Sequence, residues 1–423
     1  MTMVSACILY LDEIELTMQK RFVPDEFSAL FQESDRIETP DPDGGEPDIE
    51  YRATRKSILK RLDVMGCTAA LAKRRFEEWR TEQIHDQESY LSEVEPDRDP
   101  KQVEELIALS KLTWEKWCLR VPVVLSNLYE FYSYIDETER RMKEFGEKPW
   151  LWFDGLDSLI SVRAILEAAP DVHEVSLNVG HLIGGGWIDA DKKICTEKIR
   201  IVAARGQPVG PAIILAEGKS DIAVLKASIK RFHPDLTEFV TFLDHSEFKV
   251  DGGASYVVKF LKAFAAARIP ANIVAVFDND AAGLAAYKQA LSLNLPDNMA
   301  CIHFPDIELA RAYPTIGPQG THDANINGRA CGIEIYLGKA ALSSNGTLRP
   351  VRWTGYDQRA DTYQGEVDEK ESVQEAFLMA MRMGAGEIET DYPEMQLVWQ
   401  TILEAIALTA ERAQKHGRPP PEL

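Results

Sequence analysis

No two cysteines stand at CxxC spacing and none has a histidine at zinc-ligand distance, although six are present: Cys7, Cys67, Cys118, Cys195, Cys301 and Cys331. That scatter argues against a structural zinc site and against a disulfide framework, and it fits a reducing cytoplasm. Long apolar runs are also missing, and a bilayer span takes about 20 such residues. The only run near the start, ACILYL, meets Asp12, Glu13 and Glu15, so neither a signal peptide nor a membrane span is expected. Basic residues are scarce, with 47 Lys and Arg against 68 Asp and Glu and a formal charge of -21. Such a balance speaks against a protein that coats nucleic acid by charge alone, because phosphate binding runs on Lys and Arg. Neither an internal repeat nor a long low-complexity segment is visible, so a solenoid is not expected.

The 423 residues, 45% of them hydrophobic, are enough for two to four domains. Charge is unevenly spread. Residues 1–50 hold thirteen acids and three bases, whereas residues 211–345 hold fourteen acids and twelve bases. The pattern suggests four regions: an N-terminal α+β module (1–95), a helical middle with a short strand section (96–205), an α/β domain (206–345) and a mainly helical end (346–423). The first opens with a possible strand, ILYLDEIEL, then an acidic loop, ETPDPDGGEPD, and a helical pattern from Arg55 to Trp79 broken near Gly66. ESYLSEVEPDRDPK reads as a linker and Val103 to Lys143 as a long helical stretch. VHEVSLNV and KIRIVAA read as strands on either side of a tight turn, GHLIGGGW.

Between Pro211 and Gly338 strands and helices alternate. AIILAEG, FVTFLD, NIVAVFDND and ACIHFP are continuous apolar strands, and helical patterns follow the first three. Unbroken rather than alternating hydrophobicity implies a parallel sheet covered on both faces, and such sheets gather functional groups at the carboxyl ends of their strands. The first strand ends at Glu217, with Asp221 on the next helical turn. The third ends in Asp278 and Asp280. Neighbouring parallel strands lie about 4.8 Å apart, so carboxylates from two strand tips can share a hard cation such as Mg2+ or Mn2+. Taken singly, Asp221 or Asp280 is equally well read as a helix cap.

AIILAEGKSD followed by VAVFDNDAAG resembles the Toprim domain, which is shared by topoisomerases, bacterial primases, some RNA-processing nucleases and the OLD-family nucleases. The family pattern is Glu-Gly after the first strand and Asp-x-Asp after the third. The resemblance covers about 130 residues and implies a Rossmann-like, mostly parallel sheet. It also implies acid/base chemistry or metal binding for Glu217 and metal binding for Asp278 and Asp280. OLD-like nucleases add two acids, which Asp221 and Glu334 in CGIEIYLG would supply. ALFQESDR and TRKSILKRLDVMGCT look like the N-terminal module found ahead of HEPN or Toprim domains in bacterial proteins linked to conflict with phages and mobile elements. AYPTIGPQG, GIEIYLG and DTYQGEV look like segments of the same group.

Other motifs carry less. Arg80 and His85 satisfy a HEPN ribonuclease spacing, but a solvated helix end explains them as well. GHLIGGGW is glycine-rich but lacks the strand–GxGxxG–helix context that a dinucleotide site needs, and a turn is the better reading. TIGPQG with NINGRA offers backbone N–H groups and Arg329 to a phosphate, or is a plain surface loop. A topoisomerase needs a nucleophilic tyrosine in a gate domain, and a primase a zinc or basic tracking region. Neither is visible, which leaves a nuclease. Water activated by Mg2+ or Mn2+ on Asp278, Asp280 and Glu217 would attack the phosphodiester of a nucleic acid, DNA ahead of RNA. Asp221 and Glu334 would complete a second metal position, and Lys219 would neutralise charge or sit exposed. The alternative is a non-cutting Toprim regulatory or assembly subunit that binds nucleic acid or nucleotide at the acidic site, and whose aromatic helical middle meets a second copy or a defence-system partner.

Overall fold

The computed structural model describes residues 5–40, 47–93, 100–128, 137–143, 150–153, 158–204, 210–243, 252–358, 360–383 and 392–416. Two compact units divide the chain, Met1–Arg205 and Gly206–Leu423.

The first unit is built on an antiparallel sheet of β1 (Ala6–Leu11), β2 (Ile14–Lys20), β3 (Arg36–Thr39), β4 (Asp48–Thr54) and β5 (Glu174–Asn178), in the order β2-β1-β5-β4-β3. β4 alternates as a one-sided strand must, burying Ile49, Tyr51 and Ala53. β5 comes from the stretch expected to form a separate middle region, yet it pairs with both β1 and β4. Residues on both sides of position 95 therefore share one sheet.

The helices of this unit are α1 (Asp25–Ser28), α2 (Arg55–Val64), α3 (Ala69–Glu93), α4 (Pro100–Lys111), α5 (Trp114–Ser126), α6 (Glu137–Lys143), α7 (Ser158–Ala168), α8 (Gly180–Gly184) and α9 (Ile194–Ala204). The Thr54 hydroxyl accepts the Ser57 N–H at 3.2 Å and so caps α2, while Thr68 does the same for α3 from Leu71 at 3.1 Å. Gly66, at φ +81°, makes the break between them.

KIRIVAA is helical, not a strand, because Ile194, Cys195 and Ile199 bury on one face of α9. GHLIG likewise forms a helical turn rather than a loop. α3 runs to Glu93, so only residues 94–99 of the expected linker remain, and these lie outside the described residues, as do 41–46 of the acidic loop, part of NLYEFYSY and the closing GRPPPEL.

Two interactions knit this unit. Phe76, Trp79, Trp114, Trp117, Trp150 and Phe153 form an aromatic cluster with ring centroids 5.5 to 6.0 Å apart. Arg61, 1% exposed, donates to Asp35 at 2.6 and 3.1 Å and to the Leu30 carbonyl at 3.0 Å, stapling TRKSILKRL to ALFQESDR.

In the second unit β6 (Ala212–Leu215), β7 (Val240–Phe242), β8 (Ile273–Phe277) and β10 (Met299–His303) form a wholly parallel sheet, ordered β10-β8-β6-β7. Between β8 and β10 comes the short β9 (Asn279–Asp280). Ile273, Ala275 and Phe277 pack on one face with α11 (Ala254–Ala266) and α12 (Ala281–Leu291). α10 (Lys219–Phe232) and α15 (Pro393–His416) meet through a hydrogen bond of 2.8 Å from Trp399 Nε1 to Ser228 Oγ, and the Trp399 ring packs on Phe242 of β7.

A second, mixed sheet joins β11 (Tyr313–Gly317) and β12 (Gly320–Ala324) to β16 (Val351–Asp357) and β17 (Thr362–Val367). β13 (Ala330–Cys331) pairs with β9, and α13 (Lys339–Leu342) and the β14–β15 turn (Ser343–Ser344, Thr347–Leu348) precede β16. Within the end expected to be mainly helical, Val351–Asp357 and Thr362–Val367 form the β16–β17 hairpin. α14 (Lys370–Arg382) follows it, and both helices expected in the last region are present.

The Asp35–Arg61 pair makes a test of the first unit. Removing one partner of a buried ion pair costs about 3–5 kcal/mol. Asp35→Ala is therefore expected to move the urea midpoint of tryptophan fluorescence well below wild type, and an unshifted midpoint would show that the staple is dispensable.

Candidate acidic site at the strand tips

β6 lies inside the sheet, with β7 on one side and β8 on the other, so the chain's path reverses between β6 and β8. Helices diverge at such a switch point and leave a crevice beyond the strand ends. Ile213 is level with Ile273 and Leu215 with Ala275. Glu217 therefore comes level with Phe277, and Asp278 stands one residue further on.

A cleft of about 350 Å³ opens there, lined by Glu217, Asp221, Asp278, Asp280 and Glu334 together with Ser220, Gly253, Gly332, Glu366 and Lys370. The five acids named from the sequence thus come together. Lys219 does not: it is exposed on the first turn of α10 and does not line the cleft. Lys370 from α14 does, with Glu366 3.6 Å from its ammonium.

Backbone N–H groups hold the acids in place. Asp278 N–H donates to Glu217 Oε1 at 3.0 Å, and Ala254 N–H at the start of α11 reaches the same carboxylate. Asp221 Oδ2 accepts from Gly218 at 2.7 Å, and Asp280 Oδ1 from Gly283 at 2.7 Å, so both aspartates are helix-start residues as well as cleft residues. Gly283 is needed for closeness, since a Cβ there would lie 2.3 Å from the Asp278 carbonyl oxygen. Glu334, on a short 3-10 turn (Ile333–Tyr336), accepts from Gln374 at 2.6 Å.

Asn279, between the two aspartates, is 1% exposed. Its side chain donates to Asp306 at 2.9 Å and accepts the Gly328 N–H at 3.0 Å. NINGRA is therefore a brace for the aspartate loop. Asn327 bonds Ile307 in both directions at 3.1 Å, and the Arg329 carbonyl takes the Ala281 N–H at 3.2 Å. Sequence reasoning missed Asn279, Lys370, Glu366 and Gln374. Only Asn279, an amide between two acids, left a local signal.

Lost hydration, reinforced by neighbouring carboxylates, drives the acids toward their neutral forms. Burial, with Asp280 and Asp221 adding repulsion, pushes the Glu217 carboxyl up to about 8 against the pull of its backbone donors. Burial and the charges of Asp221, Glu217, Asp280 and Glu334 hold Asp278 well above the usual carboxylate range. Asp280 and Glu334 shift the same way, again chiefly through burial. Crowded acids of this kind in a cleft mark functional sites.

Uncompensated hard oxygens fit a divalent cation in chemistry. Gly332 leaves a cradle for one: a Cβ there would lie 2.9 Å from Glu334 Oε2 and 3.7 Å from Asp278 Oδ2. Among the described residues, however, no group of three or more His, Cys, Asp or Glu side chains is placed to hold a metal ion as it stands.

In the first unit Arg80 and His85 lie on α3, five residues apart and so about 140° apart around the helix. Arg80 donates to Glu77 at 3.2 Å and His85 is exposed, so the two do not converge. Residues 3–207 match the family model described as HEPN/Toprim N-terminal domain 1. That match spans the first unit and supports the HEPN/Toprim-associated group. No curated protein and no solved structure matches the chain. Among the described residues no helix is long and apolar enough to cross a membrane.

The crowding has a pH signature. The Glu217 carboxyl moves from an ordinary value of 4.5 to about 8 on folding. Between those values the folded state holds the extra proton, so stability falls as pH rises through that window. In EDTA the melting temperature is expected to drop from the acid to the alkaline side of it, and Glu217→Gln to flatten the slope. Parallel slopes in the two proteins would exonerate Glu217.

Proposed function

We propose that the second unit is a Toprim-type domain that hydrolyses nucleic-acid phosphodiester bonds with Mg2+ or Mn2+, in bacterial defence against phages or mobile elements. The observation that carries this reading is the convergence of Glu217, Asp221, Asp278, Asp280 and Glu334 on one cleft beyond β6 and β8. These carboxylates, Asp278 and Asp280 foremost, would hold the ion, which when bound acidifies a water and neutralises phosphate charge. Magnesium often takes one or two carboxylates plus substrate phosphate and keeps several waters, so a closed three-ligand cage is not required.

Glu217, whose carboxyl burial pushes up to about 8, is suited to take a proton from an attacking water on the alkaline side of that value, where it is ionised. Asp221 and Asp280 tie the cleft to the starts of α10 and α12, which fixes the strand tips relative to each other. Lys370 brings an ammonium to the cleft wall, the role expected of Lys219. DNA is the first substrate to test.

A second reading, a non-cutting subunit that assembles with another copy or a partner protein, draws on α5. There Leu119 is 76% exposed and Val123, one turn on, is also open.

Purified protein is expected to cleave plasmid or oligonucleotide DNA in Mg2+ or Mn2+ and not in EDTA. Asp278→Asn should lower the rate by at least ~100-fold, beyond what loss of an outer metal partner costs. The same change should raise the melting temperature in EDTA at alkaline pH, because it removes a carboxyl that would otherwise have to ionise while buried among other acids. Cleavage that survives Asp278→Asn would sink the assignment. A defined complex by light scattering, with no turnover in any metal, would favour the second reading.

A further inference from the structure

The wall of the acidic cleft continues outward as an aromatic surface. Gly365, Glu366 and Val367 of β17 line the cleft, and Tyr363 lies on the same strand, two residues before Gly365. Successive rows of the β16–β17 ladder are Val351 with Val367, Trp353 with Gly365 and, past a bulge, Tyr356 with Tyr363. Side chains two apart share a face. One face of the hairpin therefore runs from buried Val351 and Val367, past Trp353, to Tyr356 and Tyr363, which are 52% and 59% exposed.

Trp353 lies across the sheet rather than upright. A Cβ on Gly365 would come within 3.2 Å of its Cε3 and one on Gly317 within 3.3 Å of its Cδ1, so opposite edges of the indole rest over two glycines on either side. The ring is half-buried, set down between these two stretches of backbone. The Tyr363 ring meets Trp353 at 6.5 Å and Tyr356 at 5.3 Å, and the Tyr356 hydroxyl is tied to Asp361. Three rings are thus held in fixed orientations on a hairpin whose second strand leads into the cleft. At about 3.3 Å per residue, Tyr363 stands roughly 13 Å along β17 from Val367.

We infer that this hairpin is a stacking platform for single-stranded nucleic acid and feeds an unpaired strand toward the acidic cleft. The direction of feed rests on the nuclease reading above, whereas the stacking does not. Unpaired bases present their faces to aromatic rings regardless of sequence, and in a duplex those faces are already covered by neighbouring base pairs. Among the described residues of this hairpin the arginine, Arg352, is engaged by both oxygens of Asp368 at 3.0 and 2.8 Å. Stacking rather than phosphate pairing would hold the strand.

Fluorescence anisotropy of the full chain with a short labelled oligothymidylate, and with its duplex, tests this in EDTA and moderate salt, where no metal-dependent turnover intrudes. The single strand is expected to bind more tightly than the duplex and with a shallow salt dependence. Tyr363→Ala and Tyr356→Ala should each weaken binding by about tenfold, whereas Tyr363→Phe should keep it. Both rings are exposed, so the fold survives their loss.

Cleavage of the same oligonucleotide in Mg2+ is read separately. Ring-dependent binding without cleavage by wild type would remove the nuclease reading and leave the platform standing. No binding by wild type, equal affinity in the alanine variants, or a change only in oligomeric mass would overturn the platform, whatever the cleavage result.

Discussion

Repulsion among like charges at one end of a parallel sheet is the constraint on which the second unit depends. Two strand tips and a 3-10 turn bring carboxylates into one small cleft, and each loses water and gains anionic neighbours in doing so. The surrounding structure answers with backbone dipoles: the starts of α10, α11 and α12 all point N–H groups at these acids. Such donors moderate the repulsion without neutralising it. What remains is a standing demand for positive charge, met by one wall lysine that is itself beside Glu366.

The N-terminal domain treats buried charge in the opposite way. Arg61 is matched to Asp35 with both oxygens, and Arg163 to Asp63 at 2.6 Å and Glu167 at 2.9 Å while also donating to the Leu59 carbonyl. Each buried guanidinium there has its carboxylate. Within one chain, then, buried charge is set beside the opposite sign in one unit and beside its own sign in the other. The like-charge version is found at the strand tips. A folding accident would not respect that division, and an unbalanced cluster lowers stability unless something binds it.

The acids and the parallel sheet were legible because their signals are local. Strands buried on both faces read as unbroken apolar runs, and an acid that ends such a run has few bland explanations when a second run ends the same way. Helical face patterns located α10, α11, α12, α14 and α15 for a similar reason. The errors were local as well. KIRIVAA is rich in β-branched residues, yet its apolar positions fit a helix turn. The hairpin was missed because the bulge between Trp353 and Gly355 breaks its alternation and because its outer half is aromatic on an exposed face. Lys370 and Gln374 were beyond reach for a different reason: both act on Glu334, 36 and 40 positions earlier in the chain, on a turn whose approach no periodicity encodes. Residues 1–205 share one sheet because β5 returns to lie between β1 and β4, a long-range pairing that composition cannot announce.

The C-terminal helix bears on how the protein comes to exist at all. α15 packs on the parallel sheet and fastens to α10 through Trp399 and Ser228, yet it is the last described element of the chain. During synthesis the acids and all four parallel strands emerge well before the helix that covers one side of them. Until α15 arrives, the apolar faces of β8 and β10 stay open to water and to other nascent chains. Parallel sheets already form slowly because their contacts are distant in sequence, and here the covering helix begins 90 residues after β10 ends. The setting of the strand tips around the acidic cleft therefore waits on an element made long after the strands themselves.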